Sequence, residues 1–207
     1  MEPIQIVYVV DDDAAMRDAM TQMLELAGFL VLAFASARDF LAAFAAGERG
    51  CLVLDQRMPD MTGLELQQEL IQRGLSLPII FLSGYGDIPT TVRAVKGGAI
   101  DFLEKPVAKE TLIERITQAL DYERQQHALS LEAQEIRRRY HELTPREREV
   151  FQLATSGHAN KEIARQLDIS PRTVENHRAR VMEKMRADNI ATLCNMAAIC
   201  LPPEPLS

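Results

Sequence analysis

The 207-residue chain has no tryptophan and only three cysteines, Cys51, Cys194 and Cys200. Three is an odd number and no Cys-x-x-Cys pair occurs. Neither a disulfide framework nor a zinc site is therefore expected, and the thiols are read as small packed hydrophobes. No apolar run approaches the roughly 18 residues of a membrane span, so no membrane partner is expected. Glu2 and Pro3 stand where a signal peptide would carry basic residues, so the expected location is the cytoplasm. A basic excess is also missing. The net charge is −7, which by itself argues against nucleic acid. The imbalance is uneven, however: residues 1–120 carry net −7 and residues 143–200 net +2. The two halves thus invite different partners. Finally, no proline falls between Pro106 and Pro145, and no glycine between Gly98 and Gly157. The middle of the chain is accordingly read as helix and not as a loose tether.

What is present is an alternation. Apolar runs at Ile4–Val10, Leu30–Phe34, Cys51–Leu54, Pro78–Ser83 and Asp101–Leu103 are separated by helical stretches. Those stretches are Ala14–Ala27, Ala37–Ala45, Gly63–Arg73, Pro89–Lys96 and Lys109–Leu120. The pattern predicts an α/β doubly wound domain with a five-stranded parallel sheet over 1–120. The continuously apolar strands fit a sheet covered on both faces. A helical linker is expected over 121–142. Its residues Leu129, Ala133, Ile136, Tyr140 and Leu143 repeat at 4, 3, 4, 3. That stripe either packs on its own chain or pairs with a second protomer.

Residues 143–200 read as all helical. Thr144-Pro145 with Glu147 is a capping box with proline at the first helical position. Ser170-Pro171-Arg172-Thr173 repeats the device. A helix over about Asn160–Leu167, the tight Asp168-Ile169 connection and a crisply capped helix from Pro171 form a helix-turn-helix pattern. A last helix is expected from Ile190 to about Ile199. Residues 201–207, rich in proline, are expected to be a disordered tail.

Acids collect at two strand ends. Asp11, Asp12 and Asp13 follow the first strand and Asp55 follows the third. In a parallel sheet both lie on the carboxyl edge, where open α/β sheets place their sites. Clustered carboxylates need a cation, and a hard oxygen-seeking ion such as Mg²⁺ suits them. Ser83 and Lys105 end the fourth and fifth strands. A carboxylate among metal, hydroxyl and ammonium is equipped for phosphoryl transfer as the nucleophile. Asp13 is read as a helix N-cap or an outward-facing residue.

Val10-Asp11-Asp12-Asp13, Asp55-Gln56-Arg57-Met58-Pro59, Gly63, Ser83-Gly84 and Lys105-Pro106 resemble the receiver domain of two-component response regulators. The resemblance spans residues 4–120. It implies that Asp55 accepts phosphate from a sensor histidine kinase. Asp11, Asp12, Asp55 and the carbonyl of Arg57 would hold Mg²⁺. Ser83 and Lys105 would contact the phosphoryl oxygens, Phe102 would be the switch aromatic, and the Lys105–Pro106 bond would be cis. Phe102 stands where many receivers have tyrosine, so a switching hydrogen bond from that ring is absent.

Leu143-Thr144-Pro145-Arg146-Glu147, Asn160-Lys161-Glu162-Ile163-Ala164 and Ser170 to His177 are similar to the LuxR-type DNA-binding domain. The whole chain thus resembles the NarL/FixJ family, with the FixJ branch nearest. That implies a four-helix domain on promoter DNA, homodimerisation upon phosphorylation, RNA polymerase as a further partner, and activation of transcription. Helical geometry from Pro171 places Val174, Val181 and Met185 in the core. It places Arg172, Glu175, Asn176 and Ala179 on the opposite, groove-facing side. Asn can bond adenine and Glu can accept from cytosine. Thr173, His177, Arg178, Arg180, Lys161 and Lys184 are candidate phosphate contacts. Alternatively, His177 packs beside Val174, and Arg178 and Arg180 form a solvated face.

Three other functions compete. A phosphatase of the haloacid-dehalogenase type needs an acid two residues past its nucleophile, and Arg57 is there instead. A lactone-sensing regulator needs an aromatic-lined pocket, for which a chain without tryptophan is poorly supplied. A vestigial receiver would lack an acid, the lysine or the acceptor, and all are present. Control by relief of an interdomain block is the alternative to control by dimerisation.

Overall fold

Five apolar runs become five parallel strands in the computed structural model, which describes residues 5–45, 47–84 and 88–201. The expected strand start at Ile4 and the tail after Leu201 lie outside the described residues. Two compact units are present, Met1–Gln126 and His127–Ser207.

The first unit alternates β1 (Ile6–Val10), α1 (Ala14–Leu26), β2 (Leu30–Phe34), α2 (Ala37–Ala43), β3 (Gly50–Asp55), α3 (Gly63–Gln72), β4 (Ile79–Ser83), α4 (Ile88–Lys96) and β5 (Asp101–Glu104). The strand order is β2-β1-β3-β4-β5. Side chains of a strand alternate between faces, and each face here has its own core. Tyr8, Val10, Leu52, Leu54 and Phe81 pack with Phe40, Leu66, Leu70 and Ala94 on the side of α2, α3 and α4. Val7, Val9, Val53, Ile80 and Leu82 pack with Met20, Leu24, Leu112 and Ile116 on the other side. This double cover is why the strands carry no polar alternation, and it yields the doubly wound fold expected from the sequence. Cys51 lies in the second of these cores, where burial pushes its thiol up to about 12.

The linker is helical as expected, but it is not a separate element. The fifth helix does not stop at Leu120; α5 runs unbroken from Lys109 to His141 and absorbs the linker. Arg49 fixes its middle by a two-pronged bond to Glu123, at 2.8 and 2.9 Å. No residue in the 110–141 stretch is proline or glycine, so nothing interrupts the ladder.

The second unit holds α6 (Pro145–Thr155), α7 (Asn160–Leu167), α8 (Pro171–Met185) and α9 (Ile190–Cys200). Thr144 and Glu147 form the expected capping box, and Ser170 caps α8. Asp168 ends α7 in the left-handed region at φ 51°, which makes the α7–α8 turn tight. The linker stripe divides. Ile136 and Leu143 are buried, with Tyr140 packed against them, in a core shared with Phe151, Val181, Met185 and Leu193. Leu129 stays exposed. The stripe is therefore used by its own chain in its lower half only.

Candidate phosphoacceptor site and nucleic-acid interface

Val10 pairs with Leu54 across β1 and β3, so Asp11 and Asp55 leave adjacent strands at one level. Both are buried, at 1% and 7% exposure. Lys105 arrives from the far side of β4, where its backbone N–H donates to Ser83 O at 2.7 Å. Its ammonium donates to Asp11 Oδ2 at 2.8 Å and to Asp55 Oδ1 at 2.5 Å. The Lys105–Pro106 bond is cis, as expected. The second oxygen of Asp55 accepts the Arg57 backbone N–H at 2.8 Å. A side chain bonding the amide two positions on leaves no sequence signature of its own.

Two buried carboxylates thus share one ammonium. Burial pushes the Asp55 carboxyl above its ordinary range; the Lys105 and Arg57 bonds pull it back, and Asp11 adds repulsion. Burial opposes the charge of Lys105, but its bonds to Asp11 and Asp55 prevail and hold the ammonium protonated. A group of this kind can attack phosphorus, since Lys105 is placed to follow the negative charge onto an incoming oxyanion.

Asp12 is not gathered with the other two. It is exposed, and among the described residues no three acids, histidines or cysteines form a metal-holding group. In donor type and charge the residues nonetheless fit a divalent ion: the ligands on offer are hard oxygens, and one buried negative charge exceeds the single ammonium. Asp13 is the N-cap of α1, accepting from Ala15 and Met16. Ser83 is buried at the end of β4. Phe102 is half-buried with its ring stacked on Phe81 at 5.9 Å. Gly63 is required by close approach, because a Cβ there would come within 2.7 Å of Asp55 O and 2.8 Å of Phe81.

On α8, Val174, Val181 and Met185 are buried, as expected. Arg172, Glu175, Asn176, Ala179 and Arg180 are exposed, as is Lys161 on α7. Thr173 and His177 are half-buried, and His177 Nδ1 is buried without a partner among the described residues. Two candidate phosphate contacts are engaged elsewhere. Arg178 donates to Asn160 Oδ1 at 2.8 Å, joining α8 to the start of α7. Lys184 donates to the buried Glu147 at 2.6 Å.

Two families match this sequence: Response regulator receiver domain over residues 7–117, and Bacterial regulatory proteins, luxR family, over residues 141–197. The transcriptional regulatory protein FixJ of Rhizobium meliloti is 44% identical over 92% of this chain and 94% of its own. Nodulation protein W of Bradyrhizobium diazoefficiens is 40% identical over 93% of this chain and 85% of its own. Among solved structures, the response regulator StyR superposes with a TM-score of 0.82 at 39% identity, covering 95% of this chain and 99% of that one.

Proposed function

Because the chain belongs to the response regulators of the NarL/FixJ type, a receiver domain followed by a LuxR-type DNA-binding domain, we propose that Asp55 is its phosphoacceptor and that phosphorylation governs its binding to promoter DNA. The observation that carries this reading is the Lys105 ammonium held between Asp55 and Asp11. An Asp55 oxygen attacks the phosphorus of a phosphohistidine on a sensor kinase. The P–N bond breaks, the imidazole leaves with its electron pair, and an aspartyl phosphate remains. Lys105 and the Ser83 hydroxyl then bond phosphoryl oxygens. Mg²⁺ held by Asp11, Asp12, Asp55 and the Arg57 carbonyl would supply neutralising charge at those oxygens.

The output is transcriptional, and activation is favoured over repression, with RNA polymerase as a further partner. Arg172, Glu175, Asn176 and Ala179 read bases in the major groove, while Lys161, Thr173, His177 and Arg180 serve the phosphates; Arg178 and Lys184, bonded to Asn160 and Glu147, instead hold the helices that present them. Coupling runs through homodimerisation on the face of α4 and β5. Ile88, Val92 and Val95 recur at helical spacing and are all exposed, a stripe that a partner would cover. Withdrawal of Ser83 toward phosphate lets Phe102 turn inward and reshapes that face.

The test is incubation with acetyl phosphate and Mg²⁺, followed by intact-mass measurement. Wild type gains one hydroxylamine-labile phosphoryl group, and Asp55→Asn gains none. A full gain on Asp55→Asn overturns the assignment.

A further inference from the structure

The loop that presents the acids is held by a residue outside the receiver motif. Arg17 lies in the first turns of α1, just after its N-cap Asp13. A cation near a helix N-terminus is opposed by the helix dipole, and α1 has no acidic residue in its first turn to offset it. Among the described residues no ion pair holds Arg17. Its guanidinium instead turns back over the helix start: Nη1 donates to the backbone carbonyl of Asp11 at 2.8 Å and, more loosely, to that of Asp12 at 3.4 Å. The rest of the loop is fixed at either side. Asp11 N–H donates to Phe34 O at 3.3 Å, and Asp11 Oδ1 accepts from Asp13 N–H at 2.9 Å. Asp12 stands between these anchors, exposed.

We infer that Arg17 is a positioning residue for the divalent ion: its guanidinium clamps the Asp11 and Asp12 carbonyls and so fixes the stretch of backbone from which both acids project. The inference rests on the proposed function and deepens it. Arg17 bonds the backbone carbonyls of Asp11 and Asp12 and not their carboxylates, so it acts through the backbone of the two acids.

The sign of the metal effect separates this role from a mere charge. By charge alone, removing a cation beside an acidic site strengthens divalent-cation binding. Removing a clamp weakens it, and such supporting contacts change metal affinity by roughly tenfold or more. The experiment titrates Mn²⁺ into full-length wild type, Arg17→Ala and Arg17→Lys, reading free Mn²⁺ by electron paramagnetic resonance. Thermal unfolding followed by circular dichroism verifies that each variant is folded. Acetyl phosphate rates are then measured against Mg²⁺ concentration. Arg17→Ala is expected to bind Mn²⁺ roughly tenfold more weakly. Its phosphorylation rate should recover at saturating Mg²⁺, and Arg17→Lys should restore part of the affinity. Equal or tighter Mn²⁺ binding by a folded Arg17→Ala overturns the clamp while leaving Asp55 as acceptor. Absence of phosphorylation in wild type overturns the proposed function, whatever the Mn²⁺ titration gives.

Discussion

Lys184 Nζ lies 2.6 Å from Glu147 Oε2, and the same oxygen accepts the Thr144 backbone N–H at 2.8 Å. One buried carboxylate therefore ties the far end of α8 to the first turn of α6. Burial alone would raise the Glu147 carboxyl, but the Lys184 and Thr144 bonds outweigh it and hold the group below its ordinary value. A carboxyl depressed in the folded state contributes stability above its unfolded pKa of about 4.3. That contribution is lost as pH falls through the lower folded value. Thermal unfolding between about pH 3 and pH 7 should show this loss in wild type. The Glu147→Gln chain should start less stable at neutral pH and show a shallower acid dependence. An identical acid limb in both would remove Glu147 as its source.

The same contact splits two residues that the sequence groups together. Lys184→Ala leaves Glu147 buried without its cation, and should cost on the order of 1–3 kcal/mol in stability. Arg180→Ala removes an exposed cation, so folding should hold. The slope of log affinity against log salt should fall by about one for Arg180→Ala. Equilibrium unfolding and DNA titration at several salt concentrations measure both effects.

Asn176 is exposed on the side of α8 opposite Val174 and Val181. Asn176→Ala should weaken binding to a selected site by about 1–3 kcal/mol and relax the preference at one base pair. Its affinity for random DNA should not move. Binding-site selection with both proteins tests this, and an unchanged consensus would remove Asn176 from base readout.

Val95→Asp places a charge in the exposed α4 stripe without touching the acid site. Sedimentation of the full-length protein should show beryllofluoride driving dimers in wild type and not in the variant. Phosphorylation by acetyl phosphate should be equal in the two. If Val95→Asp still dimerises, another face carries the association.

Local and repetitive features were legible before any coordinates. Double cover of the sheet followed from unbroken apolar strands, the α8 core from a helical wheel, and the caps at Thr144 and Ser170 from residue order. The cluster of Asp11, Asp55 and Lys105 was readable because parallel strands bring their carboxyl ends to one edge. What the sequence does not display is set by partners distant along the chain or by backbone atoms. Lys184 and Glu147 lie 37 residues apart, beyond the reach of a wheel drawn for one helix. Arg178 falls among the candidate phosphate contacts in sequence, and its bond to Asn160, 18 residues earlier, leaves no trace there. Arg17 carried one faint signal, a base near the start of a helix, and its targets are carbonyls that any sequence supplies. The linker stripe was visible as a repeat, yet a repeat does not say where cover ends, and here it ends between Ile136 and Leu129.

Strand order also fixes when the acid site can exist at all. Lys105 stands 94 residues after Asp11 and 50 after Asp55, just beyond the strand that closes one edge of the sheet. In sequence order both carboxylates therefore precede the cation they share. Both contacts are non-local, the kind of pairing that slows folding, although the loop-closure cost rises only slowly with length. The trio is completed just after β5, the last strand in the sequence, so a chain truncated before it lacks the ammonium that Asp11 and Asp55 share.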